Sequence, residues 1–245
     1  MRVVAVYSTK GGVGKTTAAV SVAYEAARDN RVLLWDLDPQ GASTFILQVK
    51  PKLRDGVDAL MRGKTSLHRA IRETAFAGLD VLPADDSYRE LEHVFDAAKK
   101  PTHQIAHVLE RMADDYDLIV LDCPPGSSLV AENAVYGADV VLVPLIPSPL
   151  SLRSLDQVLS VVAESKRPVP VVGFLSMVDR RKSAHRAAVE QLSAHRAEVS
   201  DIVVPASVVV ERMGYELAPV GAYAARSDAA AAYRELWNLV RAPLG

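Results

Sequence analysis

Short apolar runs alternate along this chain with longer segments of helical periodicity. The apolar runs are rich in Val, Leu and Ile and predict strands at residues 3–8, 31–36, 79–83, 116–122, 138–144, 169–178 and 201–206. Most of them are continuously apolar, which is typical of parallel strands that are covered on both faces. Segments with a helical period fill the gaps at residues 15–30, 101–115, 151–165 and 183–198.

The alternation of strands and helices predicts the fold class. We expect an α/β protein with a doubly wound, mostly parallel sheet and helices on both faces. Ligands of such sheets bind at the carboxyl ends of the strands. Residues 50–75 have the least regular pattern and predict short surface helices. Since the chain contains no linker, repeat or low-complexity segment, we expect residues 1–245 to form a single domain.

The last helical pattern, at residues 227–241, carries an apolar stripe of Tyr233, Leu236, Trp237 and Val240. Such a stripe can dock on the core of the protein or lie on a membrane surface. We favour docking, because the opposite face of this helix carries acidic as well as basic residues.

Composition narrows the classes of function. The formal net charge of −2 gives the whole molecule no attraction for nucleic acid or membranes, so DNA binding would need a local basic patch. Cys123 is the single cysteine, which excludes a disulfide within the chain and a cluster held by several cysteines. No apolar run approaches the roughly 18 residues of a membrane span. The first strand begins without a leader segment. These observations predict a soluble, cytoplasmic protein.

A glycine-rich loop, "KGGVGKTT", joins the first strand to the first helix. Its glycines let the backbone approach a phosphate, and the helix N-terminus that follows favours anions. We expect Lys15 to reach the β- and γ-phosphates of a nucleotide and the Thr16 hydroxyl to bind Mg²⁺. The predicted nucleotide-binding residues of the loop are Lys10, Gly11, Gly12, Val13, Gly14, Lys15, Thr16 and Thr17. The loop departs from the standard pattern, since Thr9 replaces its first glycine and Lys10 is an additional lysine.

Carboxylates end two other predicted strands. Asp36 and Asp38 lie in "DLDPQG", and Asp122 begins "DCPPG". Because parallel strands share one carboxyl edge, all three should face the glycine-rich loop. We expect Asp122 to hold a water bound to Mg²⁺, and one of Asp36 and Asp38 to orient the attacking water. The alternative is that these aspartates only cap loops and helices. The proline-containing segment 122–128 is a candidate switch.

The three segments "KGGVGKTT", "DLDPQG" and "DCPPG", in this order, resemble the ParA/MinD family of deviant Walker A P-loop ATPases, and most closely its ParA partition branch. The resemblance implies ATP or ADP and Mg²⁺ as cofactors. It makes Lys10 the signature lysine, which reaches the phosphates of a partner subunit across an ATP-sandwich dimer. It makes Asp38 the residue that positions water, beside Lys10 and Lys15 as catalytic residues, and Asp36 a carboxylate on the Mg²⁺ side with Thr16 and Asp122. The adenine contacts that it implies are Met177, Asp179, Pro205 and Ser207.

The resemblance also implies a function. The ATP-bound homodimer would bind DNA without sequence preference and hydrolyse ATP slowly, when stimulated by a ParB-like or cargo-adaptor protein. Its cargo would be a plasmid, a chromosome or a protein assembly, and its location cytoplasmic and nucleoid-associated, without stable membrane association. The predicted DNA contacts form the densest basic run, which is Arg180, Arg181, Lys182 and Arg186. Candidates to extend it are Arg153, Lys166, Arg167 and Arg212. The run can equally be a solvated helix start.

Other readings of the sequence are weaker. A MinD-like membrane ATPase would need a strongly basic C-terminal helix, whereas this chain ends "WNLVRAPLG". An iron–sulfur relative would need paired cysteines. A small-molecule ligase of the dethiobiotin synthetase kind shares the fold, but "DLDPQG" and Lys10 favour the partition branch. The six histidines form no metal motif, and we expect them to face solvent. Because the loop starts at residue 10, an N-terminal helix-turn-helix domain is not expected.

Overall fold

The computed structural model describes residues 1–51, 53, 55–165 and 167–244. Within them, eight strands form one sheet in the order β3-β4-β2-β5-β1-β6-β7-β8. The strands are β1 (Arg2–Val6), β2 (Val32–Asp36), β3 (Arg72–Glu73), β4 (Leu79–Leu82), β5 (Leu118–Asp122), β6 (Val140–Leu145), β7 (Val171–Val178) and β8 (Val199–Pro205). All neighbouring pairs are parallel except β3 with β4. The predicted fold class is therefore confirmed.

Thirteen α-helices accompany the sheet in the described part of the chain. They are α1 (Lys15–Ala26), α2 (Ala42–Ile46), α3 (Gly56–Met61), α4 (Leu67–Ala70), α5 (Leu91–Asp96), α6 (Gln104–Glu110), α7 (Leu129–Gly137), α8 (Pro149–Glu164), α9 (Ser183–His195), α10 (Val208–Glu211), α11 (Met213–Glu216), α12 (Val220–Tyr223) and α13 (Asp228–Arg241). Short 3₁₀ turns span Asp86–Glu90, Pro101–His103 and Ala242–Leu244. Among the described residues, no helix is both long enough and apolar enough to cross a bilayer.

The sheet is buried on both faces, which explains why its strands are continuously apolar. Alternate residues of β1 point to opposite sides, so that Val3 and Ala5 belong to one buried cluster and Val4 and Val6 to the other. Two hydrophobic layers therefore hold the helices against the sheet. The central strands β2, β5 and β6 are buried along their whole length, whereas Asp201 of the edge strand β8 is exposed.

The C-terminal helix docks on the core, as we predicted. Tyr233, Leu236, Trp237 and Val240 are all buried, within the cluster that also contains residues of α1 and β8. At the rim of this contact the buried carboxylate of Glu25 lies 3.4 Å from Nε of Arg234. The apolar stripe of α13 is consequently covered by protein and is not a membrane-facing surface.

Several predicted elements differ from those in the structure. The helix predicted for 101–115 is a 3₁₀ turn followed by α6, and it ends at Glu110. The first helix ends at Ala26, before the predicted position 30. No helix was predicted at α2 or α7, and no strand was predicted at β3. Elements as short as these contain too few residues for a hydrophobic period to be recognised. The predicted short helices of 50–75 correspond to α3 and α4.

Candidate nucleotide site

The glycine-rich loop follows β1 in the middle of the sheet. Gly12 and Gly14 have φ angles of 69° and 92°, a left-handed region that L side chains rarely adopt. Gly14 caps α1, and a Cβ atom at this position would lie 2.9 Å from Oγ of Ser176 on β7. Both the backbone conformation and the close contact with β7 therefore require glycine at position 14.

Lys15 points inward and is only 7% exposed. Its Nζ donates a hydrogen bond to the carbonyl oxygen of Lys10, at 3.1 Å. Burial lowers the pKa of this ammonium group, and the charges of Asp122 and Asp38 act in the opposite direction. The loop thus holds a cation at its centre, at the point where a phosphate would be bound.

Lys10 is placed differently from Lys15. Its backbone N–H lies 3.4 Å from Oγ of Ser8, and its carbonyl accepts the bond from Lys15. Its half-buried side chain makes no hydrogen bond or ion pair within the described part of the chain. The Lys10 side chain therefore contributes no polar contact that stabilises the described fold.

Thr9 anchors the beginning of the loop. Its hydroxyl donates to Oε1 of Gln157, at 2.9 Å, and lies 2.8 Å from Oγ of Ser154. Both partners belong to α8, and Ser154 also approaches the hydroxyl of Ser8. The residue that replaces the expected glycine thus ties the loop to a helix about 145 positions away in the sequence. No sequence pattern predicts this contact, because Ser154 lies far from the loop in the chain and belongs to no motif.

Asp36 and Asp122 meet at the carboxyl ends of neighbouring strands. They are paired in the register of β2 and β5, and both are buried. Oδ2 of Asp36 accepts bonds from the N–H and the hydroxyl of Thr44, at 2.9 and 2.7 Å, while its Oδ1 accepts the N–H of Asp38. Burial raises the pKa of Asp36 to about 6, although the bonds from Thr44 oppose this rise. Asp36 therefore also fixes α2 on the sheet.

Asp122 has the features expected of a carboxylate beside a cation. Its Oδ2 accepts a hydrogen bond from Ser43, at 2.6 Å, but its Oδ1 is buried without a hydrogen-bond partner among the described residues. Burial, followed by the charge of Asp36, raises the pKa of Asp122 to about 7. The Thr16 hydroxyl is near enough to lower that pKa, although it makes no hydrogen bond to Oδ1.

These residues fit a Mg²⁺ ion. An unpartnered buried carboxylate oxygen next to a threonine hydroxyl offers hard oxygen ligands on the phosphate side of the loop. The described residues contain no group of three or more His, Cys, Asp and Glu side chains that could hold a metal ion. A cation here would therefore depend on nucleotide phosphates and water for its remaining ligands, which is the usual arrangement for Mg²⁺.

Asp38 lies two residues beyond the carboxyl end of β2, at the same edge of the sheet, and is half-buried. Its Oδ1 accepts the N–H of Gln40 at 2.9 Å, and its charge acts on Lys15. The segment after Asp122 also reaches the loop, because the N–H of Gly126 donates to the carbonyl of Thr9, and Tyr7 donates to the carbonyl of Gly126, both at 3.1 Å. The candidate switch 122–128 is thus in direct contact with the phosphate loop.

Comparisons with known proteins agree with this geometry. A family model described as an AAA domain matches residues 1–169. The chromosome partitioning protein ParA of Caulobacter vibrioides is 32% identical over 246 residues, which cover 96% of this chain and 92% of ParA. The sporulation initiation inhibitor protein Soj of Bacillus subtilis is 29% identical over 249 residues, with 98% of each chain covered.

The chain belongs to the ParA/MinD family of P-loop ATPases.

Solved structures of this fold include nucleotide complexes. Cobyrinic acid a,c-diamide synthase from Mycobacterium smegmatis, with bound ADP and magnesium, has a TM-score of 0.80 and 26% identity, covering 98% of this chain and 94% of its own. A complex of a McdA variant from Cyanothece with ATP has a TM-score of 0.86 and 16% identity, covering 98% and 96%. The relatives of this chain therefore include a chromosome partitioning protein, and proteins of its fold have been solved with adenine nucleotides and magnesium.

In this ParA-family chain the residues predicted to contact adenine lie together. Met177 is the penultimate residue of β7, and Asp179 follows the strand directly. Pro205 is the last residue of β8, and Ser207 lies two positions beyond it; Val178 and Pro205 are paired in register. Met177 is 44% exposed and has a positive φ of 58°. The structure brings the four residues to the same edge as the phosphate loop, and their contact with adenine stays a prediction.

The basic run of residues 180–186 lies at the start of α9, and part of its charge is already paired. Arg181 forms an ion pair with Asp179 at 2.9 Å, and Arg186 donates to the carbonyl of Arg180 at 2.7 Å. Arg180 and Lys182 are exposed and form no ion pair within the described residues. The run is thus a solvated helix start whose role in DNA binding stays a prediction.

The residues considered as extensions of this run differ in whether their charge is already paired. Arg167 is paired with Asp139 at 3.1 Å and Arg212 with Glu216, whereas Arg153 is exposed on α8. Lys166 lies outside the described residues.

The prediction that the histidines face solvent holds for His68, His93, His103 and His107, which are exposed. It is wrong for His185, whose half-buried Nδ1 accepts the N–H of Asp179 at 3.0 Å. The side chain of His195 is not described.

Cys123 is fully buried, and burial raises the pKa of its thiol. It is therefore a packed residue of the site rather than a nucleophile.

Proposed function

We propose that this protein is an ATP-dependent partition or positioning ATPase that forms an ATP-sandwich homodimer. The observation that carries the proposal is the contrast between the two lysines of the loop. Lys15 is buried and held by the loop's own backbone, whereas the Lys10 side chain has no partner among the described residues. A lysine in this position suits a role toward the phosphates of a second subunit, where it would stabilise negative charge as an arginine finger does.

The proposed nucleotide is ATP with Mg²⁺. The backbone of residues 11–14 and the N-terminus of α1 would surround the β- and γ-phosphates, and Lys15 would exchange the carbonyl of Lys10 for a phosphate oxygen. Thr16 and the free oxygen of Asp122 would hold the cation, directly or through water. Bound Mg²⁺ would neutralise charge on the phosphate oxygens.

In the proposed hydrolysis, Asp38 orients the attacking water. Water would attack the γ-phosphorus and release one proton to solvent, the bond between the γ-phosphorus and the β–γ bridging oxygen would break, and ADP and inorganic phosphate would leave. Lys15, and Lys10 of the other subunit, stabilise the charge that develops on the transferred group. Segment 122–128 contacts Thr9 through Gly126. Loss of the γ-phosphate would therefore change the contacts of this segment with the loop, and this change would weaken the dimer.

The remaining features of the proposal follow the partition branch of the family. The dimer would bind double-stranded DNA without sequence preference, on the nucleoid in the cytoplasm, and a ParB-like or cargo-adaptor protein would stimulate hydrolysis. The continuous eight-stranded sheet supports the view that residues 1–245 act as one domain. The buried stripe of α13 does not support the MinD-like alternative of membrane attachment through that helix.

A ligase is the second candidate function, because the diamide synthase from Mycobacterium smegmatis is 26% identical to this chain. A ligase couples phosphoryl transfer to a small acceptor molecule, whereas a partition ATPase transfers the phosphoryl group to water. ATP turnover in the absence of any small-molecule acceptor, increased by DNA together with an adaptor protein, would favour the partition function.

The test compares Lys10→Ala, Lys15→Ala and the exposed Lys99→Ala as a control. Light scattering after size exclusion, with Mg²⁺ and ATP, measures the dimer, and phosphate release measures turnover. We expect Lys15→Ala to lose nucleotide binding, Lys10→Ala to bind nucleotide as a monomer with turnover reduced at least about tenfold, and Lys99→Ala to behave as wild type. If Lys10→Ala dimerises and hydrolyses ATP like wild type, the proposed role of Lys10 is wrong.

A further inference from the structure

The most basic part of the chain is residues 50–72, at the edge of the sheet that ends in β3. This segment contains seven Lys or Arg residues and two Asp residues, which is a net charge of +5. The whole chain carries −2, so the other residues together carry −7. Residues 179–190, which include the basic run at the start of α9, reach only +2. Positive charge is therefore concentrated in one segment of an otherwise acidic chain.

The segment folds around an open cavity of about 670 Å³, which we call the basic cavity. It is lined by Lys50, Asp55, Lys64, Thr65, Ser66, Arg69, Ala70 and Arg72. Lys50, Lys64 and Arg69 are exposed, and they form no ion pair within the part of the chain that the structure describes. Four cationic side chains thus share one concave surface with a single carboxylate.

The walls of the basic cavity are held by hydrogen bonds. The Asp55 carboxylate accepts the hydroxyl of Thr65 at 2.9 Å, and the N–H of Lys64 donates to the carbonyl of Ala59 at 2.8 Å. Arg72 donates to the carbonyls of Arg69 and Ala70, which fixes the end of α4. The backbone that carries the cations is therefore ordered before a ligand binds, which reduces the entropy lost on binding.

The lining favours phosphate groups over a protein partner. Arginine, lysine and hydroxyl groups are the usual ligands of phosphate oxygens. Protein interfaces are instead anchored by buried aromatic and aliphatic side chains, and Ala70 is the one apolar residue of this lining. Residues 50–72 contain no Phe, Trp or Tyr on which a nucleic-acid base could stack. The surface can thus bind a phosphate backbone but has no means to hold unpaired bases.

We propose that the basic cavity binds the phosphodiester backbone of double-stranded DNA. This inference rests on the proposed DNA binding of the dimer, and it assigns that binding to the β3 edge of the sheet rather than to the start of α9. The two surfaces lie at opposite ends of the strand order, since α9 leads into β8. The contact would be independent of sequence and sensitive to salt.

The test is the affinity for a random-sequence DNA duplex, measured by fluorescence anisotropy with Mg²⁺ and ATP between about 50 and 200 mM salt. The main variant is Lys64→Gln with Arg69→Gln, and its matched counterpart is Arg180→Gln with Lys182→Gln. We expect the first pair to weaken binding about tenfold or more and to reduce the salt slope by about two, because each lost phosphate contact lowers the slope by about one. The conservative pair Lys64→Arg with Arg69→Lys should bind like wild type.

Turnover of ATP without DNA should be unchanged in all these variants, and circular dichroism checks that they are folded. If the first pair binds DNA like wild type, whether or not the second pair loses binding, the inference about the basic cavity is wrong and the proposed function stands. If inorganic phosphate binds the cavity while the DNA affinity of the first pair is unchanged, the site takes a small anion and the inference is also wrong. If the wild-type protein does not bind DNA with ATP, the DNA-binding part of the proposed function fails as well.

Discussion

The two lysines of the phosphate loop are placed in opposite ways, and a third residue explains how this is possible. Lys15 is buried and donates to the Lys10 carbonyl, whereas the half-buried Lys10 side chain makes no hydrogen bond or ion pair with the described residues. Thr9 keeps the preceding backbone against α8 through its hydroxyl. The beginning of the loop is thus held by Thr9, and its end passes so close to β7 that a side chain at position 14 would meet Ser176.

At this scale the sequence could predict the loop and the carboxylates, because their residue types and spacing carry the chemistry. It could not predict the partners of Thr9, because they lie on a helix that is distant in the sequence. Nor could it predict that Asp36 accepts hydrogen bonds from Thr44 with one oxygen, while Asp122 has an oxygen without a hydrogen-bond partner among the described residues. That difference depends on the position of α2, a helix that no hydrophobic pattern in the sequence predicted.

Removal of the Thr9 hydroxyl tests the anchor. In Thr9→Val the hydrogen bonds to Gln157 and Ser154 are lost, so we expect the free energy of unfolding to fall by about 1 kcal/mol. Since the loop would then be ordered only on binding, the KM for ATP should rise severalfold, with a smaller change in kcat. Steady-state turnover and urea unfolding measure the two effects. Ser160→Ala, which removes an exposed hydroxyl from the same helix, is the control, and an equal rise in its KM would contradict the anchor.

The strands were predicted best, because most of them are covered by helices on both faces of the sheet. The seven predicted strands correspond to the seven parallel strands, because a strand covered on both faces has no polar positions to interrupt it. Strand β3 has two residues and lies at an edge, so tertiary pairing rather than pattern defines it. The helix predicted at 101–115 is wrong at its C-terminal end, because α6 ends at Glu110 and residues 111–115 form turns.

The docking of α13 has a measurable consequence within one helix. Leu236 is fully buried against the core, whereas Leu239 is 37% exposed. Leu236→Ala should lower the free energy of unfolding by about 2–5 kcal/mol, since it removes buried methyl groups and leaves a cavity. Leu239→Ala should change it by less than about 0.5–1 kcal/mol. Urea unfolding at equilibrium measures both. Equal effects of the two substitutions would mean that the stripe does not dock as described.

Across the whole molecule, charge and topology separate three surfaces. The nucleotide edge is formed by the ends of β1, β2 and β5 in the middle of the sheet, with β7 and β8 beside it. The basic cavity lies beyond β4, and the start of α9 lies toward β8. Because α9 begins shortly after the carboxyl end of β7, its basic start lies at the same edge as the nucleotide site, whereas the basic cavity lies at the β3 end of the strand order. In the proposed dimer the two basic surfaces would therefore stand at different distances from the second subunit.

Thermal unfolding with and without nucleotide separates binding within one subunit from dimer formation. A ligand at about 100 times its Kd stabilises the folded protein by about 2.7 kcal/mol, so Mg²⁺ and ATP should raise the Tm of the wild-type protein. If ATP also joins two subunits, that rise must increase with protein concentration, because dimerisation is linked to folding by mass action. Lys10→Ala should keep a rise in Tm that is independent of protein concentration, and Lys15→Ala should show none. A concentration-dependent rise in Lys10→Ala equal to that of wild type would show that the dimer forms without this lysine, whatever its effect on turnover.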